Sequence, residues 1–364
     1  MKITQVDATR FKDYDDHESI HECIDPDSGL KAYIAIHNRN LGPALGGCRI
    51  WPYVSADEAI TDVLRLSRGM TYKSAMAELP LGGGKAVILA DPKLDKTSEM
   101  LHRMGDFVDS LSGAYITAED SGTSVDDLQI IGQRTPFVAG VTHKELNDGS
   151  RVSGDPSPST AYGVFVGIKA SARYRFGDQN DLDGLSVAIQ GVGNVGKRVA
   201  RFLVDAGAKV YVADLYEEAV SDLADKIDIN PVALHDIHKV KADVFAPCAL
   251  GGFITEQTLS EMSAPVIAGA ANNQLAHQGI GDLIIQENKL FAPDYVINAG
   301  GIIDIYYERS LYDHQRVLQH IERIADNLEE IFMLSEETGQ PSQLVADEIA
   351  ESRFLKKFEC QDVA

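Results

Sequence analysis

A chain of 364 residues is too long for one ordinary hydrophobic core and suits two domains. Hydrophobic residues make up 44% of it and charged residues 24%, the balance of a globular protein, so most of the chain is expected to fold. A formal net charge of -22 repels phosphate backbones and anionic lipid, which argues against nucleic acid or a membrane as the main partner.

Residues 1–7 lack the apolar stretch of a signal peptide, and no later run approaches the roughly 18 apolar residues of a membrane span. The cytoplasm is the expected location. Short apolar runs bounded by Gly, Pro or Asp predict strands at 31–37, 47–51, 85–90 and 114–117. Between them, Ser55-Ala56-Asp57-Glu58 reads as a capping box opening a helix whose apolar face runs through Ile60, Val63 and Leu64 to Met70. A second helix carries Met100, Leu101, Met104, Phe107, Val108 and Leu111 at the same spacing. Around 153–159, Pro156 and Pro158 with Gly and Ser make a stiff connection, and a domain boundary is expected at 145/146. Strand and helix then alternate to 334, implying βαβ units and a parallel sheet. After about residue 310 the chain reads as helical, with Val317, Leu318, Ile321, Ile324, Leu328 and Ile331 on one face. The stretch 335–364 is expected to pack back on the first domain. The fold class is therefore α/β, with a substrate domain at 1–145 and a doubly wound, Rossmann-type domain at 146–334. Cys23, Cys48, Cys248 and Cys360 show no CxxC spacing, so neither a disulfide framework nor a metal site is expected.

The clearest motif is Gly191-Val192-Gly193-Asn194-Val195-Gly196, which follows the apolar strand 185–190 and precedes a helix with Val199, Ala200, Leu203 and Val204. Gly191 permits the turn, Gly193 lets a pyrophosphate approach the backbone, and Gly196 lets helix and strand pack closely. The phosphates would meet free N–H groups at the helix's positive end. A second strand, 209–213, ends in Asp214, followed by Leu215. A carboxylate there accepts ribose hydroxyls and repels a 2′-phosphate, so NAD is expected over NADP.

The first domain carries Thr71-Tyr72-Lys73 at a helix end, Leu81-Gly82-Gly83-Gly84-Lys85 before a strand, and Ala118-Glu119-Asp120-Ser121-Gly122-Thr123. Three consecutive glycines suggest a close approach to the chain. The stretch is no phosphate-binding P-loop, because Ala86 stands where Ser or Thr is required. Two lysines in one pocket depress each other's proton affinity, which can make one a base near neutral pH. By spacing alone, a lysine after glycines is more often a surface loop, and an acidic pair more often a solvated cap, than a catalytic group.

More than spacing is present, however. Leu41-Gly42-Pro43-Ala44-Leu45-Gly46-Gly47-Cys48-Arg49, Gly69-Met70-Thr71-Tyr72-Lys73, the 81–85 and 118–123 motifs, Pro156-Ser157-Pro158 and Ala161-Tyr162-Gly163 resemble the Glu/Leu/Phe/Val amino-acid dehydrogenase family, nearest its leucine enzymes. The 191–196 loop, Ala246-Pro247-Cys248-Ala249-Leu250-Gly251, Ala271-Asn272-Asn273-Gln274 and Val296-Ile297-Asn298-Ala299-Gly300-Gly301 are similar to it as well. The resemblance implies reversible oxidation of an apolar L-amino acid to a 2-oxo acid and ammonia, with NAD as cofactor and a homo-oligomer as the working form. It implies that Lys73 holds the substrate carboxylate, Lys85 is the general base, and Asp120 exchanges protons with the amino group. It places Cys248, Ala249, Asn272 and Asn298 at the cofactor. It assigns Leu41, Gly42, Gly46, Gly47, Ala118, Ala139, Ile302 and Ile305 to the substrate. Ala139 stands where leucine enzymes commonly carry threonine, while Ile302 and Ile305 replace smaller valines; Asp155 and Asp304 replace neutral amides. The alternatives are a phenylalanine or tryptophan dehydrogenase and, in a different class, an inactive NAD-binding regulator.

Overall fold

Every strand expected in the first 140 residues forms, and two more precede them. The computed structural model describes residues 1–142, 144–145, 151–152, 154–177, 182–309 and 312–355. Its first elements are β1 (Lys2–Gln5), β2 (Ser19–Asp25), β3 (Leu30–Asn38), β4 (Ala44–Trp51), α1 (Ala56–Met76), β5 (Gly82–Leu89), α2 (Ser98–Asp109), β6 (Tyr115–Glu119) and α3 (Val125–Gly132). A short hairpin pairs β7 (Lys144–Glu145) with β8 (Arg151–Val152). No residue of β1 is buried, and β2 buries only Ile20, Cys23 and Asp25, so neither shows an apolar run in the sequence.

The sheet order is β1-β2-β3-β5-β4-β6, antiparallel as far as β5, with β4 parallel to both β5 and β6. Ala59, Ile60, Val63 and Leu64 of α1 cover one face, against Ile20, Tyr33, Ala35 and Val87. Met100, Leu101, Met104, Phe107 and Val108 of α2 cover the other, against Ile34, Ile36, Cys48 and Ile88. Ser55 caps α1 by accepting the Glu58 N–H at 3.1 Å, but Glu58 reaches back to the Val54 N–H rather than closing the box on Ser55.

Gly82, Gly83 and Gly84 lie within β5 rather than leading into it, and Gly46 and Gly47 lie within β4. A Cβ on Gly46 would stand 1.7 Å from the Gly84 carbonyl oxygen, and one on Gly83 would stand 2.0 Å from the Thr71 nitrogen. Glycine is required because β4, β5 and the end of α1 approach more closely than any side chain allows.

The later elements are α4 (Ser157–Phe176), β9 (Ser186–Gln190), α5 (Gly196–Asp205), β10 (Lys209–Ala213), α6 (Glu217–Ala224), β11 (Asn230–Pro231) and β12 (Val244–Pro247). They continue with α7 (Glu256–Glu261), β13 (Val266–Ile267), α8 (Ile280–Gln286), β14 (Leu290–Phe291), α9 (Asp294–Ile297), α10 (Gly300–Glu308), α11 (His314–Thr338) and α12 (Ser342–Phe354). This sheet is parallel throughout in the order β11-β10-β9-β12-β13-β14. Counting from β9, that is the 3-2-1-4-5-6 order of the doubly wound dinucleotide fold. Val317, Ile321, Ile324, Leu328 and Ile331 of α11 are buried, and Ile324 and Leu328 pack over Gly163 and Gly167 of α4.

The chain divides into two units: Met1–Asp155 with Ile305–Asp313 and the chain from Ala350, and Pro156–Asp304 with His314–Ile349. The stretch 335–364 is itself divided, with 335–349 in the second unit and 356–364 outside the described residues. The last turn of α12 belongs to the first unit. There, Tyr72 Oη donates to Glu351 Oε1 at 2.6 Å and Asn40 Nδ2 to the Phe354 carbonyl at 2.9 Å. Among the described residues, no helix is long and apolar enough to cross a membrane.

Candidate active site

Lys85 lies in the middle of β5 and Asp120 directly follows β6, with β4 between the two strands. Their side chains meet over β4 because residue 47 is glycine. A Cβ there would stand 2.6 Å from Asp120 Cβ, 2.8 Å from the Glu119 carbonyl oxygen and 3.2 Å from Lys85 Nζ. Lys85 Nζ lies 2.9 Å from Asp120 Oδ2, in a site where Lys85 is only 6% exposed. Burial alone would push the Asp120 carboxyl up, but the Lys85 ammonium and the Arg49 guanidinium hold it below the usual carboxylate range. The turn is locked by Thr123, whose hydroxyl accepts the Asp120 N–H at 3.0 Å and lies 2.9 Å from the Cys48 carbonyl. Burial pushes the neighbouring Glu119 carboxyl up, with Asp155 and Asp120 adding to it.

Lys73 is half-buried on the last turns of α1. Two residues earlier, Thr71 rests its backbone on Gly83, and its hydroxyl lies 2.8 Å from Nδ1 of the buried His37. The end of α1 is therefore docked on β5 beside Lys85. Ala118 pairs in register with Gly47, Ala139 donates its N–H to the Thr117 carbonyl at 2.8 Å, and Ile305 packs on Gly140. Ala118, Ala139 and Ile305 are all buried and apolar, and Ala118 lies beside Gly47, over which the lysine–aspartate pair meets. Gly46 is buried in β4, and Leu41 and Gly42 are half-buried just before that strand. Ile302 is buried one turn from Ile305 on α10 but is assigned to the second unit, as is the buried Asp304.

In the second unit Gly191 adopts φ 97° and Gly196 lies under it; a Cβ on Gly196 would stand 2.0 Å from the Gly191 carbonyl oxygen. Nothing lies within 4 Å of a Cβ on Gly193, which leaves that side of the loop open. Asn194 is braced by Lys197 Nζ at 2.9 Å, and Val195 leads into α5. Asp214 accepts the Val192 N–H at 2.7 Å and the Tyr216 N–H at 2.9 Å, so the carboxylate is tied to the glycine loop through its own backbone contacts. Leu215 and Ala249 are exposed and Cys248 is half-buried. Asn298 Nδ2 donates to Asn272 Oδ1 at 2.7 Å, while its buried Oδ1 has no hydrogen-bond partner among the described residues. An orphaned amide oxygen and an open glycine loop within the same unit fit a dinucleotide whose carboxamide carries N–H donors.

The sequence reading gave no role to Arg49, Asp62, Tyr53 or His37, which brace the site. Arg49 was visible within the 41–49 motif, but nothing in the order of residues shows which carboxylates it reaches.

A doubly wound dinucleotide unit joined to a unit that clamps a lysine against an aspartate defines the dehydrogenase class. Residues 17–136 match the Glu/Leu/Phe/Val dehydrogenase dimerisation domain, and residues 153–222 and 212–341 match Glutamate/Leucine/Phenylalanine/Valine dehydrogenase. The chain belongs to the Glu/Leu/Phe/Val dehydrogenase family, as its motifs imply. The leucine dehydrogenase of Geobacillus stearothermophilus is 48% identical, over 93% of this chain and 91% of its own. The phenylalanine dehydrogenase of Caldalkalibacillus thermarum is 42% identical, over 95% and 94%. The crystal structure of L-tryptophan dehydrogenase from Nostoc punctiforme matches with a TM-score of 0.81 at 40% identity, covering 94% of this chain and 97% of that one.

Proposed function

We propose that this protein carries out the reversible, NAD-dependent oxidative deamination of an apolar L-amino acid of the leucine, valine or isoleucine type. The observation that carries the reading is the Lys85–Asp120 contact of 2.9 Å; the buried Ala118, Ala139 and Ile305 would supply an apolar wall for the side chain. In this reading the first unit holds the amino acid and the second the dinucleotide. Lys73 meets the α-carboxylate as a fixed cation, since a buried carboxylate needs a partner charge. Asp120, held as a carboxylate, exchanges protons with the substrate amino group. Lys85 takes a proton from the water that attacks the imino carbon, and the short contact lets it pass protons to and from Asp120. When bound, the dinucleotide supplies the acceptor for the α-hydrogen. The loop Gly191 to Gly196 would hold its pyrophosphate, and Asp214 with Leu215 its adenosine ribose. Cys248, Ala249, Asn272 and Asn298 would line the rest of its path. The carboxylate of Asp214 supports NAD over NADP.

A glutamate side chain against the apolar wall would leave a charge unpaired, at a cost of several kcal/mol. Small Ala139 favours a second reading, a phenylalanine or tryptophan dehydrogenase, which Ile302 and Ile305, larger than the valines common at those positions, oppose. An inactive regulator would have no need to keep Lys73, Lys85 and Asp120 together. The match to a dimerisation domain supports a homo-oligomer.

The test is Lys85→Ala, assayed by formation of reduced nicotinamide over a panel of amino acids with NAD and NADP. Turnover should fall about 10²–10⁴-fold, as the loss of a general base does, with NAD binding little changed. Unchanged turnover removes Lys85 from the mechanism. A wild-type preference for aromatic substrates selects the second reading.

A further inference from the structure

We infer that Arg49 is the positioning residue of the proton-transfer pair: anchored at its far side by Asp62, it fixes the Asp120 carboxylate against Lys85. The inference deepens the proposed function and rests on that reading of Lys85 and Asp120.

Arg49 stands two residues after Gly47 on β4, so its side chain leaves the same face of the strand over which Lys85 and Asp120 meet. Its guanidinium is divided between two carboxylates. Nε donates to Asp120 Oδ2 at 3.0 Å and a terminal nitrogen to Asp62 Oδ2 at 3.0 Å. Asp62, on α1, accepts a further bond from the Tyr53 hydroxyl at 2.5 Å. Burial, reinforced by Asp62, pushes the Tyr53 phenol well up, so it remains a donor. One oxygen of Asp120 therefore carries two charged donors, Lys85 at 2.9 Å and Arg49 at 3.0 Å.

The two donors do different work. The Lys85 ammonium sits at the end of a flexible stem and, in the proposed chemistry, changes its protonation. Arg49 stays charged, is planar, and is tied at both ends, so its direction is set whatever Lys85 does. The other ionisable groups around Asp120 are its neighbour Glu119, Asp127 on α3, the Cys48 thiol and the Tyr115 phenol. Asp127 is held by Lys96 at 2.6 Å, and burial pushes both the thiol and the phenol up and keeps them neutral. Among the described residues, Arg49 is the cation that stays on Asp120 while Lys85 gives up its proton. Arginine suits the place because its planar fork aims separate N–H groups at the two carboxylates in fixed directions, which a freely rotating ammonium does not.

The experiment compares Arg49→Met, Arg49→Lys, Asp62→Asn and Asp120→Asn with the wild type, each checked for folding by thermal melting. The readouts are the pH profile of kcat/KM for the amino acid and the KM for NAD. Removing a cation from beside Asp120 favours its protonated form, so in Arg49→Met the acid limb should move up by about one pH unit or more. kcat/KM near neutrality should fall about 10- to 100-fold, the range of a misplaced catalytic group, and KM for NAD should hold. Arg49→Lys should return the limb toward the wild type without restoring the rate, because charge is regained and the two-ended bridge is not. Asp62→Asn should shift rate and limb in the same direction by less, and it carries the test should Arg49→Met fail to fold. An acid limb unmoved in both Arg49→Met and Asp62→Asn, with Asp120→Asn inactive, overturns the inference alone. A fully active Asp120→Asn removes the proposed function of the pair and this inference with it.

Discussion

Gly47→Ala should separate catalysis from folding. The added methyl would stand 2.6 Å from Asp120 Cβ, whereas carbon atoms in ordinary contact keep about 3.5–4.0 Å, an overlap of about 1 Å. Retreat along the strand is blocked by the Glu119 carbonyl at 2.8 Å, so Asp120 must move away from β4. Displacing it by about 1 Å takes the 2.9 Å contact with Lys85 beyond hydrogen-bonding range. A misplacement of that size costs about 10²-fold in rate, which is about 2.7 kcal/mol of transition-state stabilisation at 1.36 kcal/mol per tenfold. Overpacking should take about 1–3 kcal/mol of stability as well. Steady-state kinetics by nicotinamide absorbance, with urea unfolding of the same preparation, separates the two effects. A variant that melts like the wild type and turns over within about threefold of it would show that the Lys85–Asp120 distance does not govern the rate. Gly46→Ala is the contrasting case: its methyl would meet the Gly84 carbonyl at 1.7 Å, which forces two strands apart and costs folding itself.

Burial pushes His37 down to about 4, with His17 and Arg68 adding to the effect and Asp15 opposing it. The unfolded chain, with an ordinary histidine near 6.5, then binds more protons between those values, so stability is lost as pH falls from about 6.5 to about 4. His37→Gln, whose amide can still reach the Thr71 hydroxyl, should remove about 3 kcal/mol of that loss in urea titrations at both ends of the range; an unchanged loss would exonerate His37. Lys144 and Glu308 are ion-paired at 3.3 Å with side chains 2% and 3% exposed, and Glu308 Oε1 accepts the Val141 and Thr142 N–H groups at 2.8 Å each. Lys144→Met should therefore cost about 3–5 kcal/mol by stranding the carboxylate, and adding Glu308→Gln should recover part of it. A single variant as stable as the wild type would contradict this. Asp214→Ala should weaken NAD and narrow its advantage over NADP in parallel kinetics, and an unaltered preference would show that Asp214 does not read the ribose.

The dinucleotide unit was legible because its signal is local. A strand, a GxGxxG turn, a helix and a second strand ending in Asp214 follow one another along the chain, and each glycine answers to contacts inside that run. The helices α1, α2 and α11 were legible for the same reason, since a 3.6-residue period needs no distant partner. β1 and β2 were not, because β1, at the edge of the sheet, buries no side chain and β2 beside it buries only three, so neither carries an apolar period. The glycines at 82–84 were recognised as a close approach, yet what approaches them comes from elsewhere in the chain: Thr71 of α1 over Gly83 and Tyr115 of β6 beside Gly84.

By itself, then, the order of residues determined the class of fold and the succession of strand, GxGxxG turn, helix and second strand, all written as local patterns along the chain. Only the tertiary structure decided that β4 runs between β5 and β6, that Gly47 opens a gap there, and that Lys85, Asp120 and Arg49 fill it. Strand order within a sheet is settled by packing and closure across the whole unit, and no local pattern along the chain encodes which strand comes to lie beside which.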